Sequence, residues 1–343
     1  MVIDLTMKDG SRELLLVLPG LLDAARCAAT GLPRLAALET ILARGDRTDG
    51  GDGAPIATLA EALPPLAGAE AIAPGPLSRL ADTGLQDGDW WARADPVHLA
   101  PVRDHLRLFA IDVLTIEESQ ALAAACNGLL GQHGLALQAP ARDRWYVRSP
   151  RALDFTAREP ATLAGRDLFP LMPDGPDGAF VRRLLTELQM SLHEHPVNRA
   201  RERAGRLAVN SLWLWGGGAL GDAVSARVRA TGGRLPPLQS DDAVLCGLWQ
   251  LAGAGVATLP RSLDAIAPAV FATRAFEDAA SVGDAARCAE LLQRVDAEWF
   301  QSVLDGLRSK AIDRVRLACG GGIWCLDRRG LMRWWRRHAK LLP

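Results

Sequence analysis

Strand-like and helix-like segments alternate along this chain, which predicts an α/β fold with a sheet flanked by helices. Two observations carry that prediction. Short apolar runs of strand length recur at 14–18, 145–148, 207–215 and 269–273, and between them stand stretches with apolar residues at helical spacing, such as 180–195 and 241–251. A chain of 343 residues also buries about 75% of the surface its unfolded form exposes, so the fold requires neither a structural metal nor disulfides.

The elements follow in order. The run 14–18 reads as a first strand ending in Pro19-Gly20, and 21–42 carries a helical pattern. Residues 45–76 are rich in Gly, Ala and Pro; 48–53 reads as loop, and 56–66 predicts a short helix. A second unit starts at Trp90 with a short strand or turn through Asp95-Pro96, then a strand at 106–113 and a helix over 117–130. Thr115 followed three residues on by Glu118 is a capping box that heads this helix. Within 180–195, Val181, Leu184, Leu185, Leu188 and Leu192 share a helix face, and Pro196 ends the helix. The stretch 207–215 then reads as a strand leading into a Gly216-Gly217-Gly218 loop, and Ser240 is the expected N-cap of the helix at 241–251. The expected divisions are 1–89, 90–215 and 216–343, with no internal repeat.

Composition narrows the function classes. A formal net charge of −1 argues against bulk attraction to nucleic acid or anionic lipid. No apolar stretch reaches the roughly 18 residues of a membrane span, and Asp4, Pro19 and Gly20 make the start a poor secretory signal. Cys27, Cys126, Cys246, Cys288, Cys319 and Cys325 show no disulfide rhythm. Cytoplasm is the default expectation. The Cys319 and Cys325 pair flanks a glycine run but has no second pair or nearby His, so it is a weak metal knuckle.

Polar groups crowd around the 207–215 strand. His193 and His195 stand at or beyond a helix C-terminus, where they either cap it or, with Asn198, bind a phosphate or carboxylate. Asn210 lies among apolar residues and must be hydrogen-bonded, either to a ligand or to a neighbouring loop. Trp213 and Trp215 project to one sheet face and read first as core. Asp95 and His98 form a second cluster, as a shared ligand site or an Asx-turn. Asp241 and Asp242 sit at a helix start that stabilises both carboxylates. Together Asp95, His98, His195, Asn198, Arg201, Asn210 and Gly216 are the expected lining of one anion-binding cleft, with Arg201 supplying charge and the two amides orienting the ligand.

The segment His195, Pro196, Asn198, Arg201, followed by Asn210, Trp213, Trp215 and Gly216, resembles the archaeal-type cofactor-independent phosphoglycerate mutases. The resemblance continues in 93–99 and 239–249, and the Trp334-Trp335-Arg336 ending and the length are also similar to the RpfE-type regulatory proteins. It implies an alkaline-phosphatase-like sheet with a smaller inserted α/β subdomain, two divalent metals and a phosphorylated Ser or Thr nucleophile. In such mutases the first strand ends in Asp-Gly, whose Asp holds a metal; here Pro19 stands at that place and has no ligating atom. No His lies between His195 and His338, and the late strands 269–273 and 315–325 lack the implied Asp and His ligands. Metals of this kind need clustered carboxylate and His ligands, so the expectation is no metal and no cofactor.

The stretch 327–340 carries the strong local charge bias, with five arginines, one lysine and two tryptophans. On a helix, Leu331, Trp334, Trp335 and His338 would dock on the body and leave the cations outside; the alternative is a nucleic-acid or membrane-surface contact. Three functions stay open: a catalytically silent mutase relative that binds a small phosphorylated or carboxylate anion or a protein partner, an active mutase or phosphatase-like metalloenzyme, and a regulator acting through the basic C-terminal helix. The first is the leading expectation.

Overall fold

The computed structural model describes residues 12–29, 32–49, 72–109, 111–163, 165–230, 235–263 and 268–336. In chain order its elements are β1 (Glu13–Val17), α1 (Leu21–Cys27), α2 (Ala36–Arg44), β2 (Asp46–Asp49), α3 (Pro74–Thr83), β3 (Trp90–Val102), β4 (His105–Phe109), α4 (Ile116–Gln132), β5 (Ala136–Gln138) and β6 (Tyr146–Ser149). There follow α5 (Gly178–His193), α6 (Pro196–Arg203), β7 (Ser211–Ala219), α7 (Asp222–Arg229), β8 (Leu238–Ser240), α8 (Ala243–Ala252), β9 (Val256–Ala257), β10 (Ala269–Ala272), α9 (Ala275–Ser281) and α10 (Ala285–Val295). A π turn (Asp296–Phe300), α11 (Gln301–Ser309), β11 (Arg314–Cys319), β12 (Gly322–Asp327) and α12 (Arg328–Leu331) complete the chain. The short helix expected at 56–66 lies outside the described residues. The chain divides into two compact units, one of Met1–Glu70 with Ala226–Pro343 and one of Ala71–Ser225.

The first unit is built on a mostly parallel sheet in the order β2-β12-β11-β1-β10-β8-β9, with β12 and β2 antiparallel at one edge. Central β1 pairs in parallel with both β10 and β11 and is buried on both faces, which explains its unbroken Leu-Leu-Leu-Val run. Leu14, Leu16, Phe271, Val315 and Leu317 share one face and form a core with α1, α2, α10 and α11. The helical pattern over 21–42 resolves into α1 and α2, with Pro33, which cannot supply an interior helix N–H, between them. The N-cap of α8 is Asp242, not Ser240: the Asp242 carboxylate accepts from Leu245 N, while the Ser240 hydroxyl donates to Ala272 O. Ser240 is the last residue of β8 and is taken up by that cross-strand bond.

The second unit carries an antiparallel sheet, β4-β3-β6-β5, with β7 also paired to β3. Where a short strand or turn is expected at 95–96, β3 runs for 13 residues straight through Pro96. The missing N–H is tolerated because β6 pairs only as far as Arg93 and β4 only from His98, so Pro96 falls between the two partners. Ala92, Ala94, Leu212 and Leu214 face α4 and α5, whose apolar stripes close a core on that side. The Thr115 capping box forms as expected and starts α4. Gly216, Gly217 and Gly218 are strand residues of β7, not a loop beyond it. Among the described residues no helix is long and apolar enough to cross a membrane.

Candidate functional site

Alternation along β3 and β7 sends Trp91, Arg93, Asp95, Trp213 and Trp215 to the sheet face opposite α4 and α5. Tyr146 of β6 joins them opposite Arg93. The Arg93 guanidinium lies 2.6 Å from Asp95 Oδ1 and over the rings of Trp215 and Tyr146, at 5.4 and 5.8 Å from their centroids. Trp215 Nε1 donates to Asp95 Oδ2 at 2.7 Å. Burial pushes the Asp95 carboxyl above the usual range although Arg93 and Trp215 both favour its charge. Helix α3 lies across this face. Its Asp82 accepts from Tyr146 Oη at 2.5 Å and, through both oxygens, from Arg144 at 2.8 and 2.9 Å. Its Arg79 stacks on Trp91, 3.7 Å from the ring centroid, and pairs with Asp87 at 2.9 Å.

Burial raises the Tyr146 phenol far above its ordinary range, so Tyr146 is a fixed donor to Asp82 and no proton carrier at neutral pH. Arg79, Arg93 and Arg144 face Asp87, Asp95 and Asp82, so the cluster is charge-balanced. Arg144, with its side chain 32% exposed, is the guanidinium within reach of solvent, whereas Arg93 is 11% exposed. Sequence reading missed Arg79, Asp82 and Arg144. The available signal was charge at alternating positions of apolar strands, Arg93 with Asp95 and Arg144 with Tyr146.

The residues expected to line one anion cleft are all in the second unit, yet most are engaged with the backbone. Arg201 has no exposed surface; its Nε donates to Leu207 O, Nη1 to Glu118 Oε2 at 3.0 Å and Nη2 to Asp112 O. Asn198, 1% exposed, donates to Leu192 O and Val209 O and accepts from Val209 N, joining α5, α6 and the segment that leads into β7. Asn210 accepts from Leu99 N and donates to Leu99 O, which makes it the bracket between β3 and the start of β7. His98 Nδ1 lies 2.9 Å from Ala208 O. His195 is the N-cap of α6, its Nδ1 accepting from Val197 N; Pro196 both ends α5 and opens α6, where its missing N–H costs nothing. Gly216 has φ 62° and sits against Pro74 and Gly75 of α3, so glycine is required there for conformation and close approach. Of the expected set, only Asp95 joins the Arg93 and Tyr146 cluster. The others hold the sheet and its helices together.

In the first unit the carboxyl ends of the parallel strands, where open α/β sheets bind ligands, carry Pro19 and Gly20 after β1, Asp241 and Asp242 after β8, and Thr273 and Arg274 after β10. Gly20 has φ 72°, and a Cβ there would lie 2.5 Å from the Glu277 backbone of α9. Pro19 is buried. Asp242 caps α8, Asp241 accepts from Thr273 Oγ1 at 2.9 Å, and Arg274 pairs with Glu277 at 3.0 Å. Among the described residues no three His, Cys, Asp or Glu side chains are grouped to hold a metal ion. The side chains at these strand ends do not fit a two-metal centre: Pro19 offers no ligand, and Asp242 already accepts a helix amide.

No protein-family model matches the chain. It is 26% identical over 138 residues to a probable 2,3-bisphosphoglycerate-independent phosphoglycerate mutase of Geobacter sulfurreducens, covering 39% of this chain and 34% of that protein. It is 36% identical over 59 residues to the 2,3-bisphosphoglycerate-independent phosphoglycerate mutase of Methanosarcina mazei, covering 17% of this chain and 15% of that protein. The match thus spans about a third of the first relative's length and less of the second. Among solved structures, a cofactor-independent phosphoglycerate mutase from Thermoplasma acidophilum aligns with TM-score 0.36 and 16% identity, over 92% of this chain and 90% of that one. The PH0037 protein from Pyrococcus horikoshii aligns with TM-score 0.46 and 14% identity, over 92% and 87%. The sequence matches establish a distant relation to the cofactor-independent phosphoglycerate mutases.

Proposed function

We propose that this protein is a catalytically silent relative of the phosphoglycerate mutases, on an alkaline-phosphatase-like scaffold, with a cytoplasmic regulatory role of the kind the RpfE-type resemblance implies. One observation carries the reading: the end of β1, where that resemblance implies a metal-holding Asp, is Pro19-Gly20 packed on the Glu277 backbone. A carboxylate does not replace Pro19 and gain ligand partners, because the neighbouring acidic side chains are engaged with a helix amide, a hydroxyl and a guanidinium. The role left is binding, of a small phosphorylated or carboxylate anion or of a protein partner.

The anion belongs on the α3-covered sheet face, where Arg144 exchanges Asp82 for the ligand and Arg93 backs it. Burial speaks against Arg201 in that role, because its guanidinium has no exposed surface and bonds Leu207 O, Glu118 and Asp112 O. Thermal-shift titration with 3-phosphoglycerate, inorganic phosphate and related acids tests this. Stabilisation that grows with ligand concentration is expected, and Arg144→Ala removes it while leaving the unliganded protein folded. No shift with any of these anions contradicts the anion-binding half of the reading, and turnover of 3-phosphoglycerate contradicts the silent half.

A further inference from the structure

After α12 the chain turns back on itself. Trp334 N–H donates to Met332 O, and Arg336 N–H to Arg333 O. Arg333 and Arg336 both reach Asp46, at 2.5 and 3.0 Å, and also donate to the carbonyls of Arg44 and Gly45; Arg44 in return donates to Leu331 O at 2.7 Å. The two guanidiniums hold the Asp46 carboxyl below its usual range. This clamp ties the arginines to Asp46 at the surface and leaves the apolar side chains in solvent. Met332, Trp334 and Trp335 are 71%, 76% and 63% exposed, and the two indoles meet edge to face at 6.1 Å. Arg328 and Arg329 of α12, just before the turn, are exposed, and Arg328 also acts on the Asp313 carboxyl.

We propose that this clamped Met332, Trp334 and Trp335 knob, flanked by Arg328 and Arg329, is a docking site for an anionic lipid bilayer surface. Indoles favour the bilayer interface because the ring is apolar and the N–H remains hydrated, and neighbouring cations add preference for acidic headgroups. The clamp holds the knob in place before it meets the bilayer, so little order is lost on docking. Nucleic acid is a poorer fit. The perpendicular indoles offer no platform for successive stacked bases, and Arg333 and Arg336, the cations within the turn, are already engaged by Asp46. A second copy is also poorer, because Arg328 and Arg329 would approach their own counterparts.

The test is flotation of the full chain with vesicles of phosphatidylcholine alone and with roughly 30% phosphatidylserine. Binding is expected on the acidic vesicles, about tenfold weaker or less on the neutral ones. The double variant Trp334→Ala, Trp335→Ala should lose about tenfold or more on acidic vesicles, with an unchanged melting temperature because both rings are exposed. Arg328→Glu with Arg329→Glu should remove the preference for the acidic lipid. The proposal is overturned by no flotation with acidic vesicles, by equal flotation of the tryptophan variant, or by tryptophan-dependent self-association or DNA binding without flotation.

Discussion

Arg201 and Asn198 sit in the stretch that resembles the mutases, and the structure uses both as internal brackets. The Arg201 guanidinium bonds two carbonyls and Glu118, and Glu118 also receives Arg206 and the Thr115 N–H. Although burial opposes it, these partners hold the Glu118 carboxyl below its ordinary value. Arg201→Ala removes the buried partner of Glu118, which keeps Arg206 and the Thr115 N–H, and leaves two carbonyls without their donor, so we expect a loss of about 2–3 kcal/mol in denaturant unfolding; Arg201→Lys recovers little because one ammonium cannot span three acceptors. Wild-type stability in Arg201→Ala would contradict the assignment. Asp177 gives a prediction in pH. The Arg151 guanidinium, helped by Asp154 N–H, lowers its carboxyl to about 2. The folded value lies below the unfolded one, so this contribution is complete above about pH 4 and is lost as pH falls through about 2. The difference in melting temperature between wild type and Asp177→Asn should therefore be present at pH 6 and vanish near pH 2; a difference independent of pH would contradict it.

Elements whose ends are fixed by near neighbours were legible in the sequence, and elements fixed by distant ones were not. The α4 capping box is a contact between residues three apart, and it formed as the sequence implied. By contrast α2 begins at Leu35, which has no capping side chain. Its amides at Ala37 and Leu38 are met by Asp296 of the π turn, 258 residues beyond Leu38, at 3.4 and 2.7 Å. Asp296→Ala should cost about 1–2 kcal/mol, read in urea unfolding, and a neutral outcome would show that solvent satisfies those amides equally well. The C-terminal element reverses its expected orientation for the same reason. The pattern of Leu331, Trp334 and Trp335 implied a docked helix, but α12 ends at Leu331, His338 is outside the described residues, and Asp46 captures the arginines instead. Local periodicity does not show a carboxylate 287 residues away. Trp334→Ala and Trp335→Ala should consequently change stability little, whereas a loss of about 3–5 kcal/mol, the cost of a buried aromatic, would restore the docked picture.

At the scale of the whole chain, the alternation of strands and helices was enough to give an α/β class, and the two sheets were not separable from it. A parallel strand such as β1 and an antiparallel one such as β7 are both apolar runs in sequence, and pairing direction depends on residues far apart. The unit Ala71–Ser225 is one continuous segment with its own core of Leu122, Leu130, Val181, Leu188 and Leu214. We expect that segment to unfold cooperatively when produced alone, as seen by circular dichroism in urea; a chain without a transition would mean that it depends on the rest of the protein. The candidate site was legible only at Asp95, because the other motif residues are conspicuous in sequence for their structural bonds. What the fold holds firmly is the closure of β1 by Pro19-Gly20 on Glu277. Phosphoglycerate mutase activity of the purified protein, assayed in both directions with added manganese and followed by metal analysis of the same sample, tests that most directly. No interconversion above background and no stoichiometric pair of Mn or Zn ions are expected; manganese-dependent turnover with two tightly held metals per chain would overturn the catalytically silent reading.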